Sequence, residues 1–296
     1  MAASITLDAL NAMSPKAFGE ALGPIFEHAP AIAAAAAAKR PFATVEALHR
    51  AMFGVVEAMP EAEQRRLVGN HPELAGREAE TGTMTAESVS EQGGAGLNRL
   101  SAAEAAELRR LNAAYRERFD LPFLVCVRRH TRRSIFREAS RRLTRTPAEE
   151  LDQALQEIFY VTRLRIVDRV EGPGVPVTTG RLSTHVLDTV AGRPAAGVAV
   201  ELREFVTDDA PVLIRTARTN AEGRLDQPLL SGEPLRIGTY EISFDVGMYF
   251  AQAGYPVAAE PFLSVVPIRF GIAEPETHYH VPLTVTPWSY STYRGS

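Results

Sequence analysis

The spacing of apolar residues changes character part-way along this chain of 296 residues. Up to Val170, apolar residues recur every three or four positions, which places them on one face of an α-helix. Beyond about residue 172, apolar and polar residues alternate and Gly and Pro become frequent, as is typical of β-strands joined by turns. The pattern predicts an all-α domain over 1–171, a linker over 172–179 and an all-β domain over 180–296.

Several helices of the first half carry recognisable start signals. Ser14 followed by Pro15 predicts an N-cap with proline at the first helical position. The apolar run FDLPFLVCV, from Phe119 to Val127, predicts a buried extended segment rather than a helix. The helical spacing further predicts helices over 31–39, 44–57, 60–68, 101–119, 132–143 and 147–170.

The second half contains six stretches with strand character, separated by turn signals such as Asn220-Ala221-Glu222-Gly223. Short strands at this spacing predict a β-sandwich. The predicted strands cover 181–190, 197–206, 211–220, 238–250, 267–272 and 278–286.

Composition narrows the class of protein. The chain carries 32 Lys and Arg against 36 Asp and Glu, for a net charge of -4, which argues against nucleic acid as a partner. The single cysteine, Cys126, cannot form an intrachain disulfide and fits a reducing compartment. No apolar stretch is long enough to span a bilayer, and the N-terminus lacks a signal-peptide pattern. We expect a cytoplasmic protein without a membrane partner.

Ionisable residues of the second half lie at predicted strand ends. His185 lies in LSTHVLD, Arg224 ends the turn TNAEGR, and His278 and His280 share one face of a strand. Histidine suits general acid–base chemistry and arginine suits an anionic or carbonyl-rich ligand. Taken singly, each has an ordinary structural explanation. Zinc binding by His278 and His280 is disfavoured, because this half offers one further histidine and no cysteine.

The first half has its own candidates. His71 lies in a polar loop, and Ser88 and Glu91 share a face if their stretch is helical. Arg163 and Arg165 near the end of the last helix are typical of surface charges. The many arginines between Arg128 and Arg145 favour a solvated helix face over an anion-binding patch.

Four motifs of the second half, taken together, point further: LSTHVLDTVAGRPAAGVAVEL, TNAEGR, HYHVPL and the terminal YSTYRGS. Over about 180–296 they resemble the transthyretin-related 5-hydroxyisourate hydrolases. The resemblance implies a transthyretin-like sandwich that assembles as a homotetramer and opens the substrate ring with water. It implies catalytic roles for His185, Arg224, His280 and Ser296, and places Tyr293 and Arg294 beside the substrate.

The first half has a comparable set: HPELAG, TAESVSEQGGAGL, LNAAYRERFDLPFLVCV and EIFYVTRLRIVDRV. Over about 5–170 these resemble the 2-oxo-4-hydroxy-4-carboxy-5-ureidoimidazoline (OHCU) decarboxylases, which implies an all-helical, cofactor-free and usually dimeric protein. Asp120 stands where that family commonly has glycine. The resemblance implies catalytic roles for His71 and Glu91, and substrate contacts for Pro72, Ser88, Gln92, Phe123, Leu124, Val125, Cys126, Val127 and Arg165, with Arg163 as an alternative to Arg165.

The two resemblances belong to consecutive reactions, because one enzyme makes the unstable compound that the other consumes. The sequence therefore predicts a bifunctional enzyme of urate breakdown that forms (S)-allantoin without a metal or cofactor. We expect small-molecule substrates and a homo-oligomer, either a dimer or a tetramer. The alternative is a transthyretin-like carrier domain fused to a helical interaction module.

Overall fold

A computed structural model describes residues 4–76, 82–207, 211–256 and 258–295. The chain divides into two compact units, each with its own apolar core. One unit contains the residues up to Arg128 and Ile135–Thr178, and the other contains Arg129–Ser134 and the residues from Thr179 onward. Within the described ranges, no helix is both long and apolar enough to cross a membrane.

The first unit is helical, as predicted. Two short strands, β1 (Ile5–Thr6) and β2 (Val170–Glu171), pair in parallel and bring its first and last segments together. Its helices are α1 (Leu7–Ala12), α2 (Pro15–Leu22), α3 (Pro30–Ala36), α4 (Val45–Glu57), α5 (Glu61–Gly69), α6 (Ala86–Gly94), α7 (Ala102–Phe119), α8 (Arg132–Arg142), which belongs to this unit from Ile135 onward, and α9 (Pro147–Arg169).

Polar side chains cap the first turn of several of these helices. Ser14 Oγ accepts from the backbone N–H of Ala17 at 3.2 Å, which confirms the predicted cap of α2. Ser101 at the start of α7 and Thr146 at the start of α9 each form a capping box with a glutamate three residues on. These caps satisfy backbone N–H groups that a helix leaves unpaired in its first turn.

A buried extended segment links α7 to the region before α8, as predicted. Asp120 ends α7 in the left-handed conformation with φ 54°. Glycine adopts this conformation at a lower energetic cost than other residues, so glycine suits this position. The side chains that follow, from Leu121 to Val127, are buried. The turn at Asp120 therefore directs an apolar ribbon back through the core.

Arg142 contradicts the predicted solvated face, because its side chain is only 1% exposed. The guanidinium donates to the Glu150 carboxylate and, from Nη1, to the carbonyl oxygen of Leu124 at 2.8 Å. Glu157 in turn accepts from the backbone N–H of Cys126 at 2.9 Å. The periodic pattern missed this role because an arginine is buried only when distant acidic partners meet it.

Replacing Arg142 by alanine is expected to destabilise the helical unit by about 3–5 kcal/mol, because it leaves Glu150 buried without its cation. Arg141→Ala is the matched control, since the neighbouring Arg141 makes only a surface ion pair with Glu138. That change should cost about 0.5 kcal/mol or less. Urea unfolding followed by far-ultraviolet circular dichroism measures both, and equal costs would contradict the buried role.

The second unit is rich in β-strand, consistent with the predicted transthyretin-like sandwich. The strands are β3 (Arg181–Ser183), β4 (Val186–Asp188), β5 (Arg193–Pro194), β6 (Ala199–Phe205), β7 (Pro211–Arg218), β8 (Gly238–Asp245), β9 (Val265–Ile272), β10 (His278–His280), β11 (Leu283–Val285) and β12 (Tyr290–Thr292). Four of them pair in the order β7-β6-β8-β9 and four in the order β12-β11-β4-β5, while β3 pairs with β10.

Three strand predictions need correction. The strand predicted over 238–250 ends at Asp245, and helix α10 (Val246–Gln252) follows, capped by Asp245, which accepts from the backbone N–H of Met248 at 3.0 Å. The strand predicted over 181–190 divides into β3 and β4, with His185 between them, and the strand predicted over 278–286 divides into β10 and β11. These differences are local, and the first division leaves His185 at a strand end.

The segment after β2 is packed rather than free. The carbonyl oxygens of Pro173 and Gly174 accept from the backbone N–H groups of Val45 and Glu46 at 2.9 and 3.0 Å. A side chain at Gly174 would lie 2.7 Å from Cβ of Thr44, so this close approach requires glycine. The predicted domain limits at 171 and 180 stay a prediction.

Candidate functional sites

A pocket in the helical unit contains most of the residues predicted to act there. Its empty volume is about 470 Å³, part of it open to solvent. The loop that follows α5, helix α6, the ribbon from Phe123 to Val127 and the C-terminal half of α9 form its walls. The predicted residues that line it are His71, Pro72, Ser88, Glu91, Gln92, Phe123, Leu124, Val125, Cys126, Val127 and Arg165.

Arg165 lies at the centre of the polar side of this pocket. Its guanidinium binds Glu91 through two N–H···O bonds, from Nε at 2.9 Å and from Nη2 at 2.8 Å. Nη2 also donates to Ser88 Oγ at 3.2 Å. This bidentate pairing is among the stronger side-chain contacts in proteins. Arg163 instead pairs with Glu46 at 2.7 Å and does not line the pocket.

Glu27 is the polar residue that the sequence reasoning missed. It lies just after the 3₁₀ turn Gly23–Ile25 and is 1% exposed. Its carboxylate accepts from Arg165 Nη1 at 3.0 Å, Thr85 Oγ1 at 2.7 Å and Ser88 Oγ at 3.1 Å. Burial alone would raise its pKa, but these hydrogen bonds and the charge of Arg165 hold the pKa below its usual value. An acidic residue directly after the apolar run Pro24–Phe26 was the available signal.

The protonation state of His71 follows from its contacts. Nδ1 lies 2.9 Å from the carbonyl oxygen of Leu67, and since a carbonyl only accepts, Nδ1 carries the proton. Burial lowers the pKa of His71 to about 4, and the nearby Glu27 carboxylate opposes this shift without reversing it. Nε2 is buried without a hydrogen-bond partner in the part of the chain that the structure describes. Neutral His71 therefore presents Nε2 as an acceptor.

Gln92 holds the loop that carries His71. Its Oε1 accepts from the backbone N–H of Ala75 at 2.9 Å, and Asn112 on α7 donates to the carbonyl oxygen of Leu74 at 3.1 Å. Ala75 itself has φ 46°, a conformation that needs such support. In this structure Gln92 acts on the loop as well as lining the pocket.

His71 is expected to stay neutral well below the usual histidine range, with its proton on Nδ1. Imidazole nitrogen chemical shifts in the full chain should show no titration of His71 until the pH approaches about 4. In urea the same residue should titrate with a pKa of about 6.5. Because the unfolded chain binds the proton first, this histidine's contribution to stability is present above about 6.5 and is lost as the pH falls through about 4.

The His71→Gln variant identifies the resonance by its absence. If His71 in the folded chain titrated at about pH 6.5, or carried its proton on Nε2, this assignment would be contradicted.

A second polar group forms in the β unit. Backbone bridges join His185 to Arg224 and His280 to Gly295, so residues from four separate stretches converge. Gly223, with φ 69°, makes this possible, because a side chain there would lie 2.4 Å from the carbonyl oxygen of Val186. The turn before Arg224 therefore packs directly against the His185 strand.

His185 resembles His71 in its electrostatics. Its Nε2 is buried without a hydrogen-bond partner among the described residues. Burial, and then the positive charge of Arg224, lower the pKa of His185. The neutral ring therefore offers a proton acceptor beside a guanidinium.

His280 is joined to His278 through a hydroxyl group. Ser183 Oγ lies 2.9 Å from Nδ1 of His280 and 2.7 Å from Nε2 of His278. A hydroxyl has one proton and can donate to only one ring, so at least one of these two ring nitrogens must carry a proton and donate to the oxygen. The tautomers of the two rings are thereby linked. Burial, followed by the charges of Arg224 and His278, lowers the pKa of His280.

The C-terminal residues are held in place as far as the structure describes them. The backbone N–H of Gly295 donates to the carbonyl oxygen of His280 at 2.8 Å, and a side chain at Gly295 would lie 2.9 Å from the His280 ring. Arg294 binds Glu274 at 2.8 Å and stacks over Tyr279, while Tyr293 is exposed. Ser296, predicted as catalytic, lies outside the described residues.

Among the residues that the structure describes, no group of three or more His, Cys, Asp or Glu is arranged to hold a metal ion. Several polar groups of the two candidate sites are paired with one another, with backbone carbonyls or with hydroxyls, whereas Nε2 of His71 and Nε2 of His185 are unpaired among the described residues.

Two families match consecutive parts of the chain. The OHCU decarboxylase family matches residues 11–167, and the HIUase/transthyretin family matches residues 182–295. The chain belongs to both families. The OHCU decarboxylase match covers the pocket around Arg165, and the HIUase/transthyretin match covers the group around His185.

Relatives of each family are similar over nearly their whole length. The 5-hydroxyisourate hydrolase 2 of Rhizobium meliloti (strain 1021) is 52% identical over 118 residues, which are 40% of this chain and 98% of the relative. The OHCU decarboxylase of Amia calva is 38% identical over 164 residues, 55% of this chain and 94% of the relative. A crystal structure of (S)-allantoin synthase covers 99% of this chain and 100% of its own, with 31% identity and a TM-score of 0.54.

Proposed function

We infer that the chain is a bifunctional enzyme of urate breakdown. The β unit hydrolyses 5-hydroxyisourate to OHCU, and the helical unit decarboxylates OHCU to (S)-allantoin. The observation that carries this inference is the similarity of almost the entire chain to an (S)-allantoin synthase, joined to a site in each matching unit. A carrier fused to an interaction module would not need the group that His185, Arg224 and His280 form in the β unit.

In the decarboxylation, the bond between the ring carbon and the carboxylate breaks and carbon dioxide leaves. The electron pair passes into the adjacent C=N group, so the substrate itself accepts the electrons and no cofactor is needed. A proton must then reach the neighbouring ring carbon from one side, which sets the stereochemistry of allantoin. The enzyme has to orient the substrate and manage that proton.

His71 is the group we assign to the proton. Because its Nε2 is unprotonated at rest, it first accepts the substrate's hydroxyl proton and, as the imidazolium, then donates to the ring carbon. Glu91 and Ser88 hold the ureido arm, and the backbone of the ribbon from Phe123 to Val127 holds the ring.

In the hydrolysis, water adds to a ring carbonyl and the ring C–N bond breaks. His185 or His280 takes the proton of water, because burial keeps both rings neutral. Arg224 stabilises the negative charge that develops on the carbonyl oxygen. We propose that Tyr293, Arg294 and Ser296 complete this site, and that a homo-oligomer, a dimer or a tetramer, is the working form.

Two single substitutions should separate the activities. His71→Ala removes the proton-transfer group, so formation of (S)-allantoin should fall about 10²- to 10⁴-fold while 5-hydroxyisourate decays as fast as before. His280→Ala should slow the hydrolysis of 5-hydroxyisourate and leave the decarboxylation of OHCU unchanged. Ultraviolet absorbance of uricase-generated 5-hydroxyisourate measures hydrolysis, and chiral analysis of allantoin measures decarboxylation.

Spontaneous decay of OHCU provides the baseline, because it yields racemic allantoin. If neither wild-type step exceeded spontaneous decay, the proposed function would be wrong. If both substitutions abolished both steps, the separate assignment of the two sites would fail.

Glu27→Gln tests the missed residue in the same assay. Losing the carboxylate removes the anion that holds Arg165 Nη1 and Ser88, so kcat for decarboxylation should fall about 10- to 100-fold. The pH profile of that step should also shift, because the charge beside His71 disappears. Glu20→Gln is the control, since Glu20 is exposed on α2. An unchanged pH profile would restrict Glu27 to a packing role.

A further inference from the structure

The decarboxylase pocket presents an electrostatic problem for its substrate. Glu27 and Glu91 each contribute a negative charge, and Arg165 contributes one positive charge. OHCU brings a carboxylate, which a site with net negative charge repels. Nε and both Nη atoms of Arg165 already donate to protein oxygens, so this cation is largely used in holding the site together.

A second cation lies on the pocket wall. Arg128 follows directly after the ribbon from Phe123 to Val127 and lines the same cavity. Its guanidinium donates to the carboxylate of Asp168 on α9. The two side chains are 29% and 57% exposed, so the pair lies in contact with solvent. Such pairs contribute little to stability and exchange partners at low cost.

The other lining residues offer no competing cation. His71 is neutral near neutral pH, and Arg165 and Arg128 are the cationic side chains on the walls that the structure describes. Arg128 is also close enough for its charge to interact with that of Glu91. The site therefore contains one buried cation with fixed partners and one cation at its edge with an exchangeable partner.

We propose that Arg128 binds the carboxylate that the substrate loses, exchanging Asp168 for it when the substrate enters. The proposal rests on the decarboxylase function inferred above. It assigns Arg165 to holding Glu91, Glu27 and Ser88, and Arg128 to recognising the anion. When the carbon–carbon bond breaks, carbon dioxide leaves uncharged, so the ionic contact ends with the reaction and Arg128 returns to Asp168.

The test uses the full chain with OHCU generated in place from 5-hydroxyisourate. Arg128→Gln should raise KM for OHCU about 10- to 100-fold, since a charged hydrogen bond is lost. The inhibition constant of allantoin should stay unchanged, because allantoin lacks the carboxylate. Arg110→Gln is the matched control, as Arg110 makes an exposed ion pair with Glu107 on α7, and should change neither constant.

Asp168→Asn tests the exchange from the other side. Removing the resting partner of Arg128 should lower KM by up to about fivefold, the opposite direction from Arg128→Gln. An unchanged KM in Arg128→Gln overturns the proposal, as does an equal rise in KM and in the allantoin inhibition constant. A wild-type chain that fails to form (S)-allantoin would instead refute the proposed function, so the two failures are distinguishable.

Discussion

The helical unit depends on one constraint, which is that a buried guanidinium must be surrounded by acceptors. Arg165 meets this need with Glu91 and Ser88 from α6 and with Glu27 from the segment before α3. Removing any one partner leaves an N–H group of the buried guanidinium without an acceptor, so the three elements are held in a single arrangement. The pocket is the space beside this cluster, and its polar groups are oriented before any ligand arrives.

A common device prepares the histidines of both units. Burial lowers the pKa of His71 and of His185, and Nε2 of each ring lacks a hydrogen-bond partner among the described residues. In His71 a backbone carbonyl also accepts the proton of Nδ1, which selects the tautomer. The second nitrogen is then an acceptor by default. Two unrelated folds thus prepare proton acceptors with the same local chemistry, and neither arrangement requires a metal.

Burial divides the arginines of the helical unit by role. Arg142 and Arg165 are buried and hold the architecture, since they tie the ribbon and α6 to the last helix. Arg128 lies at the edge, where water lowers the cost of leaving Asp168. The same side-chain chemistry therefore serves stability in the interior and exchangeable recognition at the rim.

The sequence by itself determined the change from helical to strand periodicity, the capped start of α2 and the helical spacing that places Ser88 and Glu91 together. These features depend on neighbours within a few residues. Only the tertiary structure decided that Glu27 joins Arg165, 138 positions away, and that Arg142 is buried. It also ended β8 at Asp245 and began α10, where strand-like residues pack as a helix. Long-range partners make a buried charge possible, and no local pattern records them.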